Sequence, residues 1–361
     1  MNHKTVVVGL EHFIDKIGYQ AMEYRRIGIP VKYLVMDKSG LSKTKAEKYK
    51  ADVEVVPKNI KNRILQTIRI YRSYKPKWTE IYDIGKLTFI YGLIAKLFGT
   101  KLIFILRGGE LAKRDTKFDI RRWGLLLTLK ISNHIIAKEI NIMNDLNTLH
   151  IPKNKITHLP NCVPVPELEK QEQEKDIDIL FLNSVRKMRN VDILVEALHK
   201  LLSKKPDLNI VITGFTTLDD NEYKMDPTFE QVVLARLKEL NYPQIHYQGF
   251  EKNPERLYKR AKIFVLPADV IYLNYSLLES MSYGVAPVVG DGEGAELIID
   301  DYENGRISKR DADALCQVLY ESLDEQAYEK FGENARNTII YKYSIEKWGE
   351  RMLEVRKGIK G

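Results

Sequence analysis

The sequence alternates short apolar runs with amphipathic segments, and it does so twice, on either side of a polar stretch of nine residues. In the first half, the apolar runs predict strands at 4–10, 31–36, 80–84, 101–106 and 134–138. The helical periodicity between them predicts helices at 15–27, 60–74, 88–98 and 121–131. Alternation of this kind is typical of an open parallel sheet covered by helices on both faces. The first half is therefore predicted to be a doubly wound α/β domain.

The same alternation begins again after the polar stretch "ELEKQEQEK" (167–175), which is predicted to be an exposed connector. Further strands are predicted at 176–183, 208–214, 244–248 and 262–267, and further helices at 190–206, 227–240 and 253–261. A helix that ends at Gly284 is predicted next, followed by a short strand and a glycine-rich turn. We predict a first domain of residues 1–166 and a second domain of residues 167–343, with a last helix at 344–360 that packs back on the first domain. Two such domains would face a central cleft, because ligands of open α/β sheets bind at the carboxyl ends of the strands.

Composition excludes several classes of protein. The chain has 361 residues, of which 44% are apolar and 29% charged, as in ordinary soluble domains. Its two cysteines are too few for a disulfide framework or a zinc site, so a reducing compartment is expected. No window approaches the roughly 20 apolar residues of a membrane span. The apolar run near the N-terminus is too short for a signal peptide. We expect a cytoplasmic protein.

The net charge of +8 is divided unevenly along the chain. Residues 1–165 contain 30 Lys and Arg against 14 Asp and Glu, which gives +16, and the remainder contains 27 against 35, which gives −8. This asymmetry predicts an acidic partner for the first half only. Nucleic acid and an anionic membrane surface are the two candidates. The sequence contains no motif of a recognition helix or an aromatic-rich sheet, so nucleic-acid binding is the weaker of the two.

Six motifs follow one another in a fixed order in the second half of the chain. They are "LPNCVPV", "VRKMRNVDILVEAL", "DLNIVITG", "YQGFEKNPERLYKRAKIFVLPA", "LLESMSYGVAPVV" and "GEGAELIIDDYENGRI". In their order and spacing, from about residue 132 to the C-terminus, the chain resembles the bacterial family-4-type retaining glycosyltransferases (glycosyl transferases group 1), which have the two-domain GT-B fold. The first half matches that family only in its pattern of strands and helices.

The resemblance implies a donor site in the second domain. Glu279 would hold the ribose of a nucleotide sugar, since a carboxylate can accept two hydrogen bonds from vicinal hydroxyls. Arg186 and Arg189 would hold the diphosphate, because guanidinium groups bind phosphate oxygens in a planar fork. Lys187 is expected to face solvent. The structural alternatives are an acid at a helix N-terminus for Glu279 and a solvated basic loop for the arginines.

The sequence departs from the family pattern eight residues before Glu279. Relatives usually carry an acid there that holds the transferred sugar, and this chain has Ile271. An isoleucine cannot accept a hydrogen bond from a sugar hydroxyl. Either Asn274 or Asp269 recognises the sugar, or the sugar lacks the hydroxyl. In the same segment, Tyr275 is expected beside the donor, and Ser276 either faces phosphate or caps the helix that carries Glu279.

The first domain departs from the family pattern as well. In "FILRGGEL", Arg107 stands where many relatives have a cleft histidine, and it is followed by Gly108 and Gly109. Arginine does not lose its proton in proteins and cannot act as a general base, but it can hold donor phosphates or an acidic acceptor. The alternative is a surface arginine in a glycine turn. Gly9 ends the first strand where a backbone often approaches a ligand closely, and the nearby His12 is interpreted as structural.

Basic amphipathic segments with Trp and Tyr suit a membrane interface. The segment 58–78 places Arg69, Arg72 and Lys75 among apolar residues, and the segment 113–130 is similar. An ordinary surface helix is the alternative.

The resemblance implies a metal-independent hexosyltransferase without a cofactor. Together with the basic segments, it predicts a peripheral protein at the inner face of the cell membrane. The protein would use a UDP- or GDP-sugar and a lipid-linked surface glycan of the capsule, O-antigen, exopolysaccharide or teichoic acid type. The rival hypothesis is a catalytically silent glycan- or nucleotide-binding subunit.

Overall fold

The chain folds into two compact units. The structure, a computed structural model, describes residues 4–37, 40–82, 85–107, 120–167, 175–219 and 224–359. Unit 1 comprises Met1–Cys162 and Ile345–Gly361, and unit 2 comprises Val163–Ser344. The units therefore divide the chain close to the predicted bounds of 166 and 343. Most of the predicted connector, at residues 168–174, lies outside the described residues.

Each unit contains one parallel sheet. The strands of unit 1 are β1 Thr5–Leu10, β2 Val31–Val35, β3 Asp52–Val55, β4 Trp78–Ile81, β5 Lys101–Leu106, β6 His134–Ala137 and β7 Ile156–His158. Those of unit 2 are β8 Ile177–Leu182, β9 Ile210–Thr213, β10 Ile245–Gln248, β11 Ala261–Leu266, β12 Ala286–Gly290 and β13 Arg306–Ser308. Their orders are β3-β2-β1-β4-β5-β6-β7 and β10-β9-β8-β11-β12-β13. Both orders reverse direction at a central strand, as in doubly wound folds. The predicted α/β class is confirmed.

Helices connect the strands in both units. They are α1 Asp15–Arg26, α2 Ser42–Tyr49, α3 Ile60–Tyr74, α4 Thr88–Leu97, α5 Ile120–Ile131, α6 Ile140–Thr148, α7 Val191–Leu202, α8 Pro227–Leu240, α9 Glu255–Tyr258, α10 Tyr275–Ser282, α11 Ala312–Ser322, α12 Glu325–Thr338 and α13 Ile345–Gly358. In unit 1 the core lies on both faces of the sheet, in two separate apolar clusters. Both faces of that sheet are thus covered, which explains why its strands appear in the sequence as nearly continuous apolar runs.

The last helix of the chain, α13, belongs to unit 1, as the sequence predicted. Trp348 packs edge-on against Tyr24 of α1, with ring centroids 5.1 Å apart. Gly349 allows the two helices to approach closely, because a Cβ atom there would lie 2.1 Å from a carboxylate oxygen of Glu23. Met352 is fully buried in the core of unit 1. The helix is therefore an integral part of the first unit.

A buried ion pair fixes α13 to the sheet of unit 1. Arg356 donates a hydrogen bond of 2.7 Å to Oε1 of Glu80 on β4, and both side chains are at least 95% buried. Arg356 also donates to the hydroxyl of Tyr24 at 3.1 Å, and that hydroxyl donates to the same carboxylate. Burial raises the pKa of Tyr24 well above its ordinary value, so the phenol is neutral. Breaking such a pair would leave a buried charge uncompensated.

In the described part of the chain, no helix combines the length and the apolar character needed to cross a membrane. The described residues also contain no group of three or more His, Cys, Asp or Glu side chains placed to hold a metal ion.

Candidate functional site

The predicted donor residues of unit 2 gather at one point of its sheet. Strand β8 pairs with β9 on one side and with β11 on the other, so the strand order reverses at β8. Ligands of open α/β sheets bind outside the carboxyl ends of the strands at such a reversal. Gly214, just after β9, has a φ of 117°, and a Cβ atom there would lie 1.8 Å from the carbonyl oxygen of Asn183. Only glycine permits this close approach of the two strand ends.

Arg186 and Arg189 follow β8 and lie at opposite ends of a short helical turn. Both side chains are half-buried, and the Nε atom of each is buried without a hydrogen-bond partner among the described residues. Nη1 of Arg189 donates to the carbonyl oxygen of Val270 at 3.2 Å. Burial, and then the neighbouring charge of Arg186, lower the pKa of Arg189. Lys187 between them is exposed. Two adjacent guanidinium groups with unused donors are suited to an anion that bears several oxygens.

The loop after β8 is tied to the loop after β11. Asn190 adopts a left-handed φ of 52°, and its side chain donates to the carbonyl oxygen of Pro267 at 2.8 Å and to Asp269 at 3.0 Å. Asp269 also accepts a hydrogen bond of 2.7 Å from Arg310. The hydrogen bond from Asn190, and then the Arg310 pair, lower the pKa of Asp269. Asp269 is therefore ionised, and its carboxylate already accepts hydrogen bonds from Asn190 and Arg310. It is one of the two residues predicted as possible readers of the sugar.

Asn274, and not Ser276, caps the helix α10 that carries Glu279. The Oδ1 atom of Asn274 accepts hydrogen bonds from the backbone N–H groups of Ser276 at 3.1 Å and Leu277 at 3.4 Å, and from the Ser276 hydroxyl at 2.8 Å. The alternative of Ser276 as the cap is wrong, because the helix begins at Tyr275 and Ser276 lies inside its first turn. The Ser276 hydroxyl accepts a hydrogen bond of 2.8 Å from the side-chain amide of Asn183. This bond joins the end of β8 to the start of α10.

Glu279 lies in the middle of α10 and not in its first turn. The alternative interpretation, an acid that complements a helix N-terminus, is therefore wrong. Its Oε2 atom accepts a hydrogen bond of 3.2 Å from the buried hydroxyl of Tyr258 on α9. Burial, and then the charge of Glu279, raise the pKa of Tyr258 well above its ordinary value, so the phenol remains a donor. Tyr258 thereby fixes one oxygen of the half-buried carboxylate.

Ile271, at the position of the missing acid, is completely buried. Its N–H donates to the carbonyl oxygen of Glu293 at 3.0 Å, and the N–H of Tyr272 donates to the same oxygen at 3.2 Å. The N–H of Glu293 donates in turn to the carbonyl oxygen of Asp269 at 2.7 Å. Position 271 thus serves to join the loop after β11 to the glycine-rich turn after β12. It offers no side-chain group for a sugar.

The glycines of that turn are needed for this packing. A Cβ atom at Gly292 would lie 2.2 Å from the carbonyl oxygen of Ala268. Gly294 has a φ of 75°, and a Cβ atom there would lie 2.4 Å from Cβ of Tyr272. Leu273 in the facing loop adopts a φ of 55°, which costs free energy for a residue with a branched side chain. The two loops therefore hold each other in one arrangement.

The predicted site residues of unit 1 lie at the carboxyl end of its sheet. Gly9 has a φ of 84° and lies where the pairing of β1 with β2 shifts register. Arg107 is exposed directly after β5, and the Nδ1 atom of His12 is buried without a partner among the described residues. Gly108 and Gly109 lie outside the described residues. Arg69, Arg72 and Lys75 are all exposed, on α3 and just beyond it.

Sequence reasoning missed three residues of unit 2 that contact the predicted site residues or the loop beside them. They are Asn183, Asn190 and Tyr258. The signal for Asn183 was its position at the end of a predicted strand, and the signal for Asn190 was its position in the same motif as the arginines. Tyr258 carried no such signal, because its contact with Glu279 joins residues 21 positions apart.

Residues 167–338 match the family model of glycosyl transferases group 1. No curated protein matches the sequence.

Similar solved structures extend over both units. A glycosyltransferase of Rickettsia africae is 17% identical, with a TM-score of 0.78, over 99% of this chain and 98% of the other. HepE of Anabaena, solved with UDP and glucose, is 11% identical with a TM-score of 0.77, over 99% and 100%. TarM of S. aureus, in a variant solved with fondaparinux, α-GlcNAc-glycerol and UDP, is 11% identical with a TM-score of 0.73, over 98% and 99%. The chain therefore has the GT-B fold, and its residues 167–338 are similar to the glycosyl transferases group 1.

Proposed function

We propose that this protein is a retaining glycosyltransferase that moves a hexose from a nucleotide diphosphate sugar to a glycan acceptor. A UDP-sugar is the first candidate for the donor, since HepE and TarM were solved with UDP. A GDP-sugar is the second. The acceptor is proposed to be a lipid-linked surface glycan. In this proposal, the reaction requires only the donor and the acceptor, without a cofactor or a metal ion.

One observation carries the proposal: the unused, buried Nε donors of Arg186 and Arg189 beside the carboxyl end of β8. Burying a polar donor without a partner costs about 1–3 kcal/mol, and two adjacent guanidinium groups also repel each other. A diphosphate would remove both costs, because its oxygens accept from the guanidinium forks and its charge offsets theirs. Glu279, positioned by Tyr258, would accept a hydrogen bond from a ribose hydroxyl.

The proposed step breaks the bond between the anomeric carbon and the diphosphate oxygen. The acceptor oxygen bonds to the same face of the anomeric carbon, and its proton passes to the departing diphosphate. Negative charge thus grows on the diphosphate as the bond breaks. Arg186 and Arg189 would stabilise that charge more in the transition state than in the bound donor, which is how fixed charges accelerate such a reaction.

The experiment is a calorimetric titration of the full chain with UDP, GDP and uridine. Glu279→Gln should weaken binding of all ligands that carry the preferred base, by about 1.5–3 kcal/mol, because it replaces a charge-assisted acceptor. Arg186→Ala and Arg189→Ala should weaken UDP binding and leave uridine binding unchanged, since uridine has no phosphate. Lys187→Ala, in the same turn but exposed, is the matched control. A loss of uridine affinity equal to the loss of UDP affinity would show that the arginines do not bind phosphate.

A specific observation supports one rival, a nucleotide-binding chain without catalytic activity. Ile271 is completely buried where relatives carry the acid that holds the sugar. Nucleotide binding alone does not separate the two. Hydrolysis or transfer from a panel of UDP- and GDP-sugars does: release of nucleotide that Arg186→Ala lowers supports the transferase, and nucleotide binding without any turnover supports the silent chain.

We also propose that unit 1 contacts an anionic membrane surface. Exposed basic residues on and beside α3 (Arg69, Arg72 and Lys75) support this contact. Two neighbouring helices each present a pair of exposed apolar side chains one turn apart, Leu93 and Leu97 on α4 and Trp123 and Leu127 on α5. Leu97 is 83% and Trp123 is 54% exposed. Apolar side chains next to basic ones are what an interfacial contact requires.

The membrane proposal is tested by co-sedimentation with vesicles of neutral lipid alone or neutral lipid mixed with anionic lipid. Binding should require the anionic lipid and fall as salt rises, because exposed charges are screened over about 8 Å at physiological ionic strength. Reversing the charges of Arg69, Arg72 and Lys75 should weaken binding. A Leu97→Ser, Trp123→Ser variant should weaken it as well if α4 and α5 enter the interface. UDP affinity should stay unchanged in both variants. Binding that ignores lipid charge would contradict the proposal.

A further inference from the structure

Unit 1 contains a lysine whose charge has no carboxylate partner. Lys138 is 4% exposed, and its ammonium donates one hydrogen bond, to Oδ1 of Asn161 at 3.2 Å. Its Nζ atom lies 5.8 Å from the centroid of the Tyr82 ring. Among the described residues, no carboxylate oxygen lies within 4.0 Å of this ammonium. An ammonium has three donors, and a buried charge is normally paired. The interactions of Lys138 within unit 1 are therefore incomplete.

The charges around Lys138 do not supply the missing anion. Lys16 and Arg107 are positive, and they add to burial in lowering the pKa of Lys138 to about 8. The two groups that act in the opposite direction are Cys162 and Glu80. Burial raises the pKa of the Cys162 thiol to about 12, so it is neutral, and Glu80 is already paired with Arg356. Neither the neutral Cys162 nor the paired Glu80 therefore supplies an anionic partner to Lys138.

Lys138 lies where a ligand of unit 1 would bind. It follows β6 directly, and Arg107 follows the neighbouring strand β5 directly. The last paired residues of these strands are Leu106 and Ala137, and the N–H of Lys138 donates to the carbonyl oxygen of Leu106 at 3.0 Å. The two cationic residues are thus neighbours at the carboxyl edge of the sheet, with the strands about 4.8 Å apart. Tyr82, which lies against the ammonium, follows β4 at the point where the strand order reverses.

A purely structural role does not account for these features. A hydrogen bond to one amide and a distant aromatic ring are modest compensation for a buried charge. Lys96 in the same unit provides the contrast. Its ammonium makes the same kind of bond, to Oδ1 of Asn133 at 2.7 Å, but Lys96 is exposed on α4 and its partner Asn133 precedes the start of β6. The buried lysine is the one at the ligand-binding edge.

We propose that Lys138, together with Arg107, binds an oxyanion of the acceptor substrate, a phosphate ester or a carboxylate, at the carboxyl edge of the sheet of unit 1. The word acceptor rests on the proposed transferase function, whereas the oxyanion site is a property of unit 1 alone. The acceptor class that fits is an anionic glycan or a glycan joined to a phosphate. A neutral sugar would leave the ammonium as incompletely bonded as it is now.

The test is a titration of the full chain with glycerol phosphate, glucuronate and neutral glycerol, followed to millimolar concentration. The wild type should bind at least one of the two anions and not glycerol. Lys138→Met should weaken that binding about tenfold or more, because it removes a charge-assisted contact. Lys96→Met, the matched control, should bind like the wild type. Tighter binding of glycerol phosphate would assign a phosphate acceptor, and tighter binding of glucuronate would assign a carboxylate.

Two outcomes would overturn the proposal: a wild type that binds neither anion, and a Lys138→Met variant that binds as well as the wild type. The variant should fold, because it replaces a buried ammonium with an apolar chain of similar length. Its UDP affinity should equal that of the wild type, since the donor residues belong to unit 2. A wild type that binds the anion but not a nucleotide would refute the proposed transferase and leave the oxyanion site standing.

Discussion

At the scale of single residues, Lys138 has a cost in stability that can be measured. Its pKa in the folded protein is about 8, below the ordinary value of 10.5. Below pH 8 both the folded and the unfolded chain hold the proton, so the folded state bears the full cost of the buried charge. Between pH 8 and 10.5 the folded chain has released the proton of Lys138 and the unfolded chain still holds it. The free-energy cost of the buried charge therefore falls with rising pH and disappears at about pH 10.5, the pKa of lysine in the unfolded chain. A shift of this size corresponds to about 3 kcal/mol.

We therefore predict that Lys138→Met unfolds at a higher urea concentration than the wild type at pH 7, by a free energy on the order of 3 kcal/mol. The difference should shrink toward zero at pH 10.5. The three tryptophans, Trp78, Trp123 and Trp348, all belong to unit 1, so their fluorescence reports the unfolding of this unit. A variant less stable than the wild type at pH 7 would mean that the bonds to Asn161 and Tyr82 outweigh the cost of burial.

For the proposed donor site, the sequence indicates the residue types more clearly than their contacts. Arg186, Arg189 and Glu279 are predicted because each belongs to a motif with a fixed position after a strand or on a helix. The capping of α10 by Asn274 and not by Ser276 could not be predicted, since it depends on the residue at which α10 begins. Lys138 gave no signal in the sequence either. Its burial follows from the strands on both sides of it, which are distant in the chain.

At the scale of elements, the strands that the sequence missed are edge strands. β3 and β7 end the sheet of unit 1, and β13 ends that of unit 2. β3 has the sequence DVEV and no buried residue, so it lacks the apolar run by which central strands were found. β4 was predicted two residues too late, because Trp78 and Thr79 in "WTEI" are buried without forming an aliphatic run. Central strands are thus visible in the sequence, whereas among the edge strands of the two sheets only β10 was predicted.

The glycine-rich turn after β12 leads to a prediction about the donor site. Gly294→Ala should destabilise unit 2 more than Gly284→Ala. Both glycines have φ near 70°, which costs alanine about 1–2 kcal/mol, but only at Gly294 does the added methyl group meet another residue, Tyr272, at 2.4 Å. At Gly284 the nearest atom is 3.7 Å away.

The comparison is made by urea unfolding followed by circular dichroism and by UDP titration. Gly294→Ala should also weaken UDP binding, because the displaced loop carries Asn274, the cap of the helix with Glu279. Gly284→Ala should bind UDP like the wild type. Equal effects of the two substitutions would show that the turn does not hold the loop in place.

At the scale of the whole molecule, α13 completes unit 1 from the far end of the sequence. Arg356→Met should destabilise unit 1 by about 3–5 kcal/mol, because it leaves the carboxylate of Glu80 buried and unpaired. Lys357→Met, exposed on the same helix, is the matched control and should have little effect. Tryptophan fluorescence follows unit 1, and UDP binding follows unit 2. Loss of UDP affinity in Arg356→Met would mean that the two units do not respond independently.

The return of the chain to unit 1 makes unit 2 an insertion within another domain. Its first and last residues, Val163 and Ser344, are paired with each other, and the N–H of Val163 donates to the carbonyl oxygen of Tyr343 at 3.0 Å. The two ends of unit 2 are therefore adjacent, as in domains that tolerate transplantation or circular permutation. Unit 1 has the opposite property, since a chain cut before residue 345 would lack one of its helices. A gene fragment chosen by sequence order would thus supply the whole of unit 2 from residues 163–344, but only an incomplete unit 1 from residues 1–162.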